Sequence, residues 1–273
     1  MSVPTSTPAA CRGRVSKLKE AMHRLFLLIL AIAVTTSIDP ASNPSFKLSQ
    51  MRFERVRLAA AHKEPVLKRL FAERKLNYPP ARILIRVFKR ERILEVWGAE
   101  PGARIFFLVK EYQVCATSGG PGPKRRVGDG QVPEGFYTIN RFNPVSNFHL
   151  SLGLDYPNQS DRILGTRANQ GGDIFIHGGC VTIGCVPITD EGIDELYVLA
   201  VEAKSAGQTF IPVHIFPARM SDAAMVRLGQ DHAASKDLVD FWKNLKEGYD
   251  NFERTRMLYS VKVDRLGRYN FTP

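Results

Sequence analysis

The segment Asp173-Ile-Phe-Ile-His177-Gly178-Gly-Cys180-Val-Thr182-Ile-Gly184-Cys185-Val-Pro-Ile188 gathers one imidazole and two thiols into a short stretch. An apolar run ends at His177, and a glycine-rich loop brings Cys180 and Cys185 back near it. Thiolate is the nucleophilic form of cysteine, and a neighbouring imidazole activates the thiol by accepting its proton. Gly184 permits a tight backbone turn without a Cβ clash, and that turn can aim N–H groups at a developing oxyanion. The composition suits nucleophilic acyl transfer. Three other readings of the same residues stay open. His177, Cys180 and Cys185, with His149 as a fourth ligand, are a conceivable zinc set. Cys180 and Cys185 are close enough in sequence to pair as a disulfide. Both are also compatible with inert core thiols.

The residues carry a resemblance. His177-Gly178 followed by Thr182-Ile183-Gly184-Cys185-Val186 resembles the active-site motif of the L,D-transpeptidase catalytic domain (YkuD) family, a His-Gly on a strand and then Ser/Thr-x-Gly-Cys. Upstream, Val127-Gly-Asp-Gly-Gln-Val-Pro133-Glu-Gly135-Phe-Tyr-Thr-Ile139 resembles that family's Thr-Pro-x-Gly-x-Phe block. Ser118-Gly119-Gly120 and Phe148-His-Leu-Ser-Leu-Gly153 fit its YafK-like murein branch. The matching stretches run in order from Ile83 to Phe216. Three features depart from the commoner pattern. Ile183 stands where His usually precedes Gly-Cys, Pro187 stands where Arg often follows, and the His-to-Cys loop is shorter. The YafK-like branch shares the short loop.

The resemblance implies Cys185 as nucleophile and His177 as general base. It implies that the Gly178 carbonyl orients the imidazole, and that the N–H groups of Gly184 and Cys185 contribute to an oxyanion hole. Thr182 occupies the Ser/Thr position, and Cys180 matches no catalytic role. The implied activity is a peptidoglycan L,D-transpeptidase, needing no metal or organic cofactor. Cys185 would attack the carbonyl between the third residue and the D-alanine of a tetrapeptide stem, and the acyl group would pass to an amine. Water as acceptor would make the same site an L,D-carboxypeptidase or amidase. A non-catalytic wall-binding module on the same fold is the alternative from another class.

These residues need a frame to hold them. Residues from 46 to 79 read as helical, with apolar spacing at Val56, Ala59, Ala60, Leu67 and Phe71, and Pro79-Pro80 ends that segment. From 80 to 217 the character changes to short β-branched and aromatic runs. These are Ile83–Phe88, Ile93–Trp97, Ile105–Val109, Tyr112–Thr117, Gly135–Arg141, Phe148–Leu152, Asp173–His177 and Phe210–Phe216. Thr189 and Asp190 are N-cap candidates for a helix through Ile193, Leu196, Tyr197 and Ala200. Residues 218–273 read as helical to about Lys246, with a strand pair near Tyr259–Val263 and Arg268–Phe271. The expected fold is mainly β, an L,D-transpeptidase-like β-sandwich flanked by N- and C-terminal helices.

The formal net charge is +11 over 273 residues. The cations crowd between Arg52 and Arg92, which favours anionic partners. Interspersed Glu54, Glu64, Glu73 and Glu91 equally suit a solvated helix face, and no nucleic-acid motif accompanies the charge. Residues 1–45 read as a signal peptide or signal anchor plus linker. The apolar run Leu25–Val34 is too short to span a bilayer and matches a signal h-region, with Met22 as an alternative start. Export to the periplasm or envelope follows, with membrane association through that run. Cys11 would leave with a cleaved signal, so Cys115, Cys180 and Cys185 make an odd count with at least one thiol unpaired.

Overall fold

The strands β1 (Arg82–Phe88) and β2 (Ile93–Ala99) are buried along almost their whole length. Such runs require cover on both faces of a sheet. The computed structural model, which describes residues 1–2, 42–166 and 169–273, supplies that cover with helices. Ile83, Ile85 and Val87 point to one core, while Leu84 and Phe88 point to the opposite face. The apolar run at 25–34, Cys11 and Met22 lie outside the described residues.

One eight-stranded mixed sheet runs in the order β3-β2-β1-β8-β4-β5-β6-β7. Its other members are β3 (Phe107–Gln113), β4 (Gly135–Asn143), β5 (Ser151–Leu154), β6 (Phe175–His177), β7 (Val186–Pro187) and β8 (Pro212–Phe216). The pairs β1–β8 and β6–β7 are parallel and the rest antiparallel. The sheet curls until its two ends meet. Val114, just past β3, bridges to Ile188, just past β7, and the Cys115 N–H donates to the Pro187 carbonyl at 3.0 Å. The two expected strands at 105–109 and 112–117 are therefore one strand with a bridge at each flank.

On the first face lie α1 (Pro44–Gln50), α2 (Glu54–Glu73) and α4 (Asp190–Ser205). Thr189 Oγ1 caps α4 by accepting from the Gly192 N–H. A short α3 (Gln159–Leu164), which the sequence reading left out, begins in a capping box of Asn158 and Asp161. On the second face lie α5 (Asp222–Asp231), α6 (Lys236–Thr255) and the hairpin of β9 (Ser260–Val263) and β10 (Tyr269–Thr272). Trp242, Leu245 and Tyr249 of α6 pack on Phe88, Phe136 and Phe216 there. The expected sandwich is thus corrected to a single curled sheet between helical layers. Strand density in the sequence suggested two sheets, but the strands between 82 and 216 join one, and the expected helices cover its faces.

The basic stretch does not form one solvated stripe. Arg86 and Lys89 are buried in ion pairs with Glu253 and Glu134, at 2.8 Å each. Arg55 donates to the Ser146 and His149 carbonyls, tying α2 to the loop before β5. Among the described residues no helix is long and apolar enough to cross a membrane.

Candidate active site

β6 carries His177 to its C-terminal end and leaves the imidazole almost wholly buried. In the parallel β6–β7 register Ile176 faces Val186 and His177 faces Pro187. Side chains alternate along a strand, so Cys185, one residue before Val186, shares the His177 face. Nδ1 of His177 contacts the Gly178 carbonyl at 2.5 Å. A carbonyl only accepts, so Nδ1 carries the proton and Nε2 is left as a free acceptor. Phe148 packs on the imidazole at a tilt of 34°, with ring centroids 4.7 Å apart.

Gly178 is glycine for want of room: a Cβ there would lie 2.4 Å from Asp190 Oδ1 and 2.9 Å from the Phe148 carbonyl. Asp190 accepts instead from the Gly179 N–H at 2.8 Å, so it holds the loop while its neighbour Thr189 caps α4. Gly184 has φ of +143°, where a side chain would be strained, and a Cβ would meet the Gln131 carbonyl at 3.1 Å.

Thr182 is the hub of the turn. Its Oγ1 accepts from the Gly184 N–H at 3.1 Å and the Cys185 N–H at 2.8 Å, and donates to the Cys185 carbonyl at 2.8 Å. The two amides expected to face an oxyanion thus already serve Thr182. A substrate oxygen would have to share or take them.

Cys185 is the one free thiol among the described residues, half-buried. Its Sγ donates to the Asp173 carbonyl at 3.7 Å, and no hydrogen bond joins it to His177 in this structure. Burial pushes the thiol pKa up, against a smaller lowering by the Phe175 N–H. Burial also pushes the His177 pKa down, with the Gly178 contact opposing. Both shifts favour a neutral thiol beside a neutral imidazole over a resting ion pair.

Cys180 is bonded to Cys115, 65 residues away in sequence. This overturns the Cys180–Cys185 pairing and removes Cys180 from the zinc set. His149 Nε2 faces Asp194 at 2.6 Å, and among the described residues no group of three or more potential ligands could hold a metal ion. Sequence reasoning missed the Cys115 partner, the Asp190 strut and the Phe148 packing. An odd thiol count was the only signal for the first, and the other two had none.

Two cavities meet at Cys185. One, of about 230 Å³, is lined by Asn143, Phe148, Ser151, Asp173 and His177. The other, of about 220 Å³, has walls from Val87, Val114, Val132 and Val186, with Arg90 and Ser118 also lining it.

Residues 82–215 match the model of the L,D-transpeptidase catalytic domain. Two curated proteins named "Putative L,D-transpeptidase YafK", from Escherichia coli K12 and O157:H7, are each 41% identical over 189 residues, covering 68% of this chain and 72% of theirs. Among solved structures, the helical cell shape determining protein Pgp2 from Campylobacter jejuni aligns with a TM-score of 0.41 and 16% identity, over 70% of this chain and 90% of that one. Bd1075 of Bdellovibrio bacteriovorus aligns at 0.36 with 22% identity, over 64% and 61%.

Proposed function

The chain belongs to the L,D-transpeptidase catalytic domain family, and from that premise we propose that it is a cysteine acyltransferase acting on peptidoglycan peptide stems. The observation that carries the reading is the free Cys185 on the same sheet face as a buried His177 whose Nδ1 is fixed on Gly178. That arrangement leaves Nε2 as the acceptor that a thiol nucleophile requires.

Sγ of Cys185 turns from the Asp173 carbonyl toward Nε2 and the substrate carbonyl. Its proton passes to Nε2 as the S–C bond forms. The oxygen gains negative charge, which makes it a stronger acceptor than a hydroxyl, and it competes with Thr182 for the Gly184 and Cys185 amides. The intermediate collapses, the C–N bond breaks, and His177 returns the proton to the departing D-alanine amine. A thioester remains on Cys185. An amine from a second stem reverses the sequence and forms the new amide. Transfer of this kind places the protein at the cell wall, reached by export.

The test is intact-protein mass spectrometry with disaccharide-tetrapeptide, without reductant so that Cys115–Cys180 stays closed. The wild type is expected to gain an acyl adduct and release D-alanine, and Cys185→Ala to do neither. A crosslinked dimer names the transferase and a bare tripeptide the hydrolase. If wild type and Cys185→Ala bind wall equally and neither reacts, the protein is a binding module and the acyl-transfer reading fails.

A further inference from the structure

This inference rests on the acyl-transfer reading and assigns the two halves of the substrate. Cys185 lies where the two cavities meet, and His177 lines only the one with Asn143 and Ser151. The base must reach the nitrogen that leaves and the nitrogen that attacks, so the amine half belongs on that side. The acyl half is left with the other cavity.

That second cavity is apolar on its walls and polar at two points. Ser118 Oγ is shut off from solvent and has no hydrogen-bond partner. Buried polar groups are rarely left unpaired, and a ligand is one way to satisfy them. The cations of the lining differ in availability. Lys89 Nζ is committed to the Gly122 and Val132 carbonyls and to Glu134, at 2.8, 3.0 and 2.8 Å. Arg90 is exposed, and its guanidinium has a single ion pair among the described residues, with Asp231 at 3.9 Å. A loosely paired positive charge therefore lines the same cavity as an orphaned hydroxyl and the nucleophile.

We propose that Arg90 and Ser118 select the acyl donor, Ser118 by hydrogen-bonding its backbone and Arg90 by pairing with a free carboxylate on the acyl side. The preferred donor is then a peptide with an anionic group near the reacting carbonyl. Its carboxamide counterpart fills the same cavity without the charge.

Isothermal titration of both peptides into Cys185→Ala and Cys185→Ala/Arg90→Gln tests this without turnover. Arg90→Gln is expected to weaken the free acid about fivefold, the scale of a partly exposed ion pair, and to leave the carboxamide unchanged. Arg90→Lys should recover part of the loss. Ser118→Ala should weaken both peptides while holding or raising Tm, since it removes an unsatisfied buried group. Equal losses for acid and amide in Arg90→Gln, or no change in either, overturn the role of Arg90. Undiminished affinity in Ser118→Ala overturns that of Ser118, and absence of binding by Cys185→Ala overturns both. Charge-selective binding without an adduct in the wild type fails the transfer reading alone.

Discussion

At the scale of single residues, the raised Cys185 pKa and lowered His177 pKa make a testable statement about resting chemistry. A thiol held up by burial ionises only above the ordinary thiol range, so iodoacetamide should alkylate Cys185 slowly at pH 7, with the rate rising beyond pH ~9. A midpoint below pH 7 would mean a thiolate–imidazolium pair and sink the neutral-pair picture. Catalysis has the opposite limb. His177 must be unprotonated to act, and its lowered pKa keeps kcat/KM from falling until the pH drops below ~6.5. Thr182→Val keeps the side-chain volume and removes the hydroxyl that ties Gly184 and Cys185. Turnover should fall by about tenfold or more, on the scale of losing one positioned contact, while alkylation persists. Unchanged kcat/KM would show that the turn holds without the hydroxyl. That His177, Gly178, Thr182, Gly184 and Cys185 stand close together was legible in the sequence because they fall in one short segment from the end of β6 to the start of β7. Asp190 and Phe148 were not, since what makes them matter is proximity created by α4 and by the chain leading into β5.

Helices and strands tell a more mixed story. Runs of β-branched and aromatic residues marked β1, β2, β4 and β8 within a residue or two, and Thr189 announced α4. The covering helices were legible as helices, but the sequence does not say which strands share a sheet. The strands between 82 and 216 therefore suggest a sandwich where one sheet curls between helical layers. Arg86 shows how one of these layers is attached. It rises from β1 into a nest of Phe88, Tyr249 and Phe252, its guanidinium 4.5 Å from the Phe252 ring centroid, and it pairs with Glu253 of α6. Its Nε and Nη2 have no hydrogen-bond partner and lie among aromatic faces, which a cation favours. Arg86→Ala empties the aromatic nest and removes the cation shared by Glu95 and half-buried Glu253, leaving them to Arg219 and Arg256. Urea denaturation should register a loss of about 2–3 kcal/mol, the upper range for a single substitution, since each carboxylate keeps a second arginine. A loss under ~1 kcal/mol would mean the arginine is a passenger on that interface.

Across the whole molecule, the sheet's two ends are joined twice within a few residues, by the Val114–Ile188 bridge and by Cys115–Cys180. Closing a loop of this size is worth about 4 kcal/mol in the chain-entropy account. Cys115→Ser/Cys180→Ser should lower stability by up to that amount. It should also lower turnover more than it lowers donor binding, because the loop between Cys180 and Cys185 loses its anchor. Equal kcat in the variant and the wild type would confine the bond to a stabilising role. Circular topology of this kind was illegible in the sequence: the partner cysteines stand far apart and only the odd count hinted at a pair.

Seen in time rather than space, the same bond would be a latch on maturation if the chain is exported as proposed. A newly made chain in a reducing compartment would hold Cys115 and Cys180 as thiols. The segment that presents Cys185 would then be held by β6, β7 and hydrogen bonds such as Gly179–Asp190, without a covalent tie. Readiness to react would come with an oxidant, after the chain has left the place of its synthesis, so a wall-modifying thiol would be armed only on arrival.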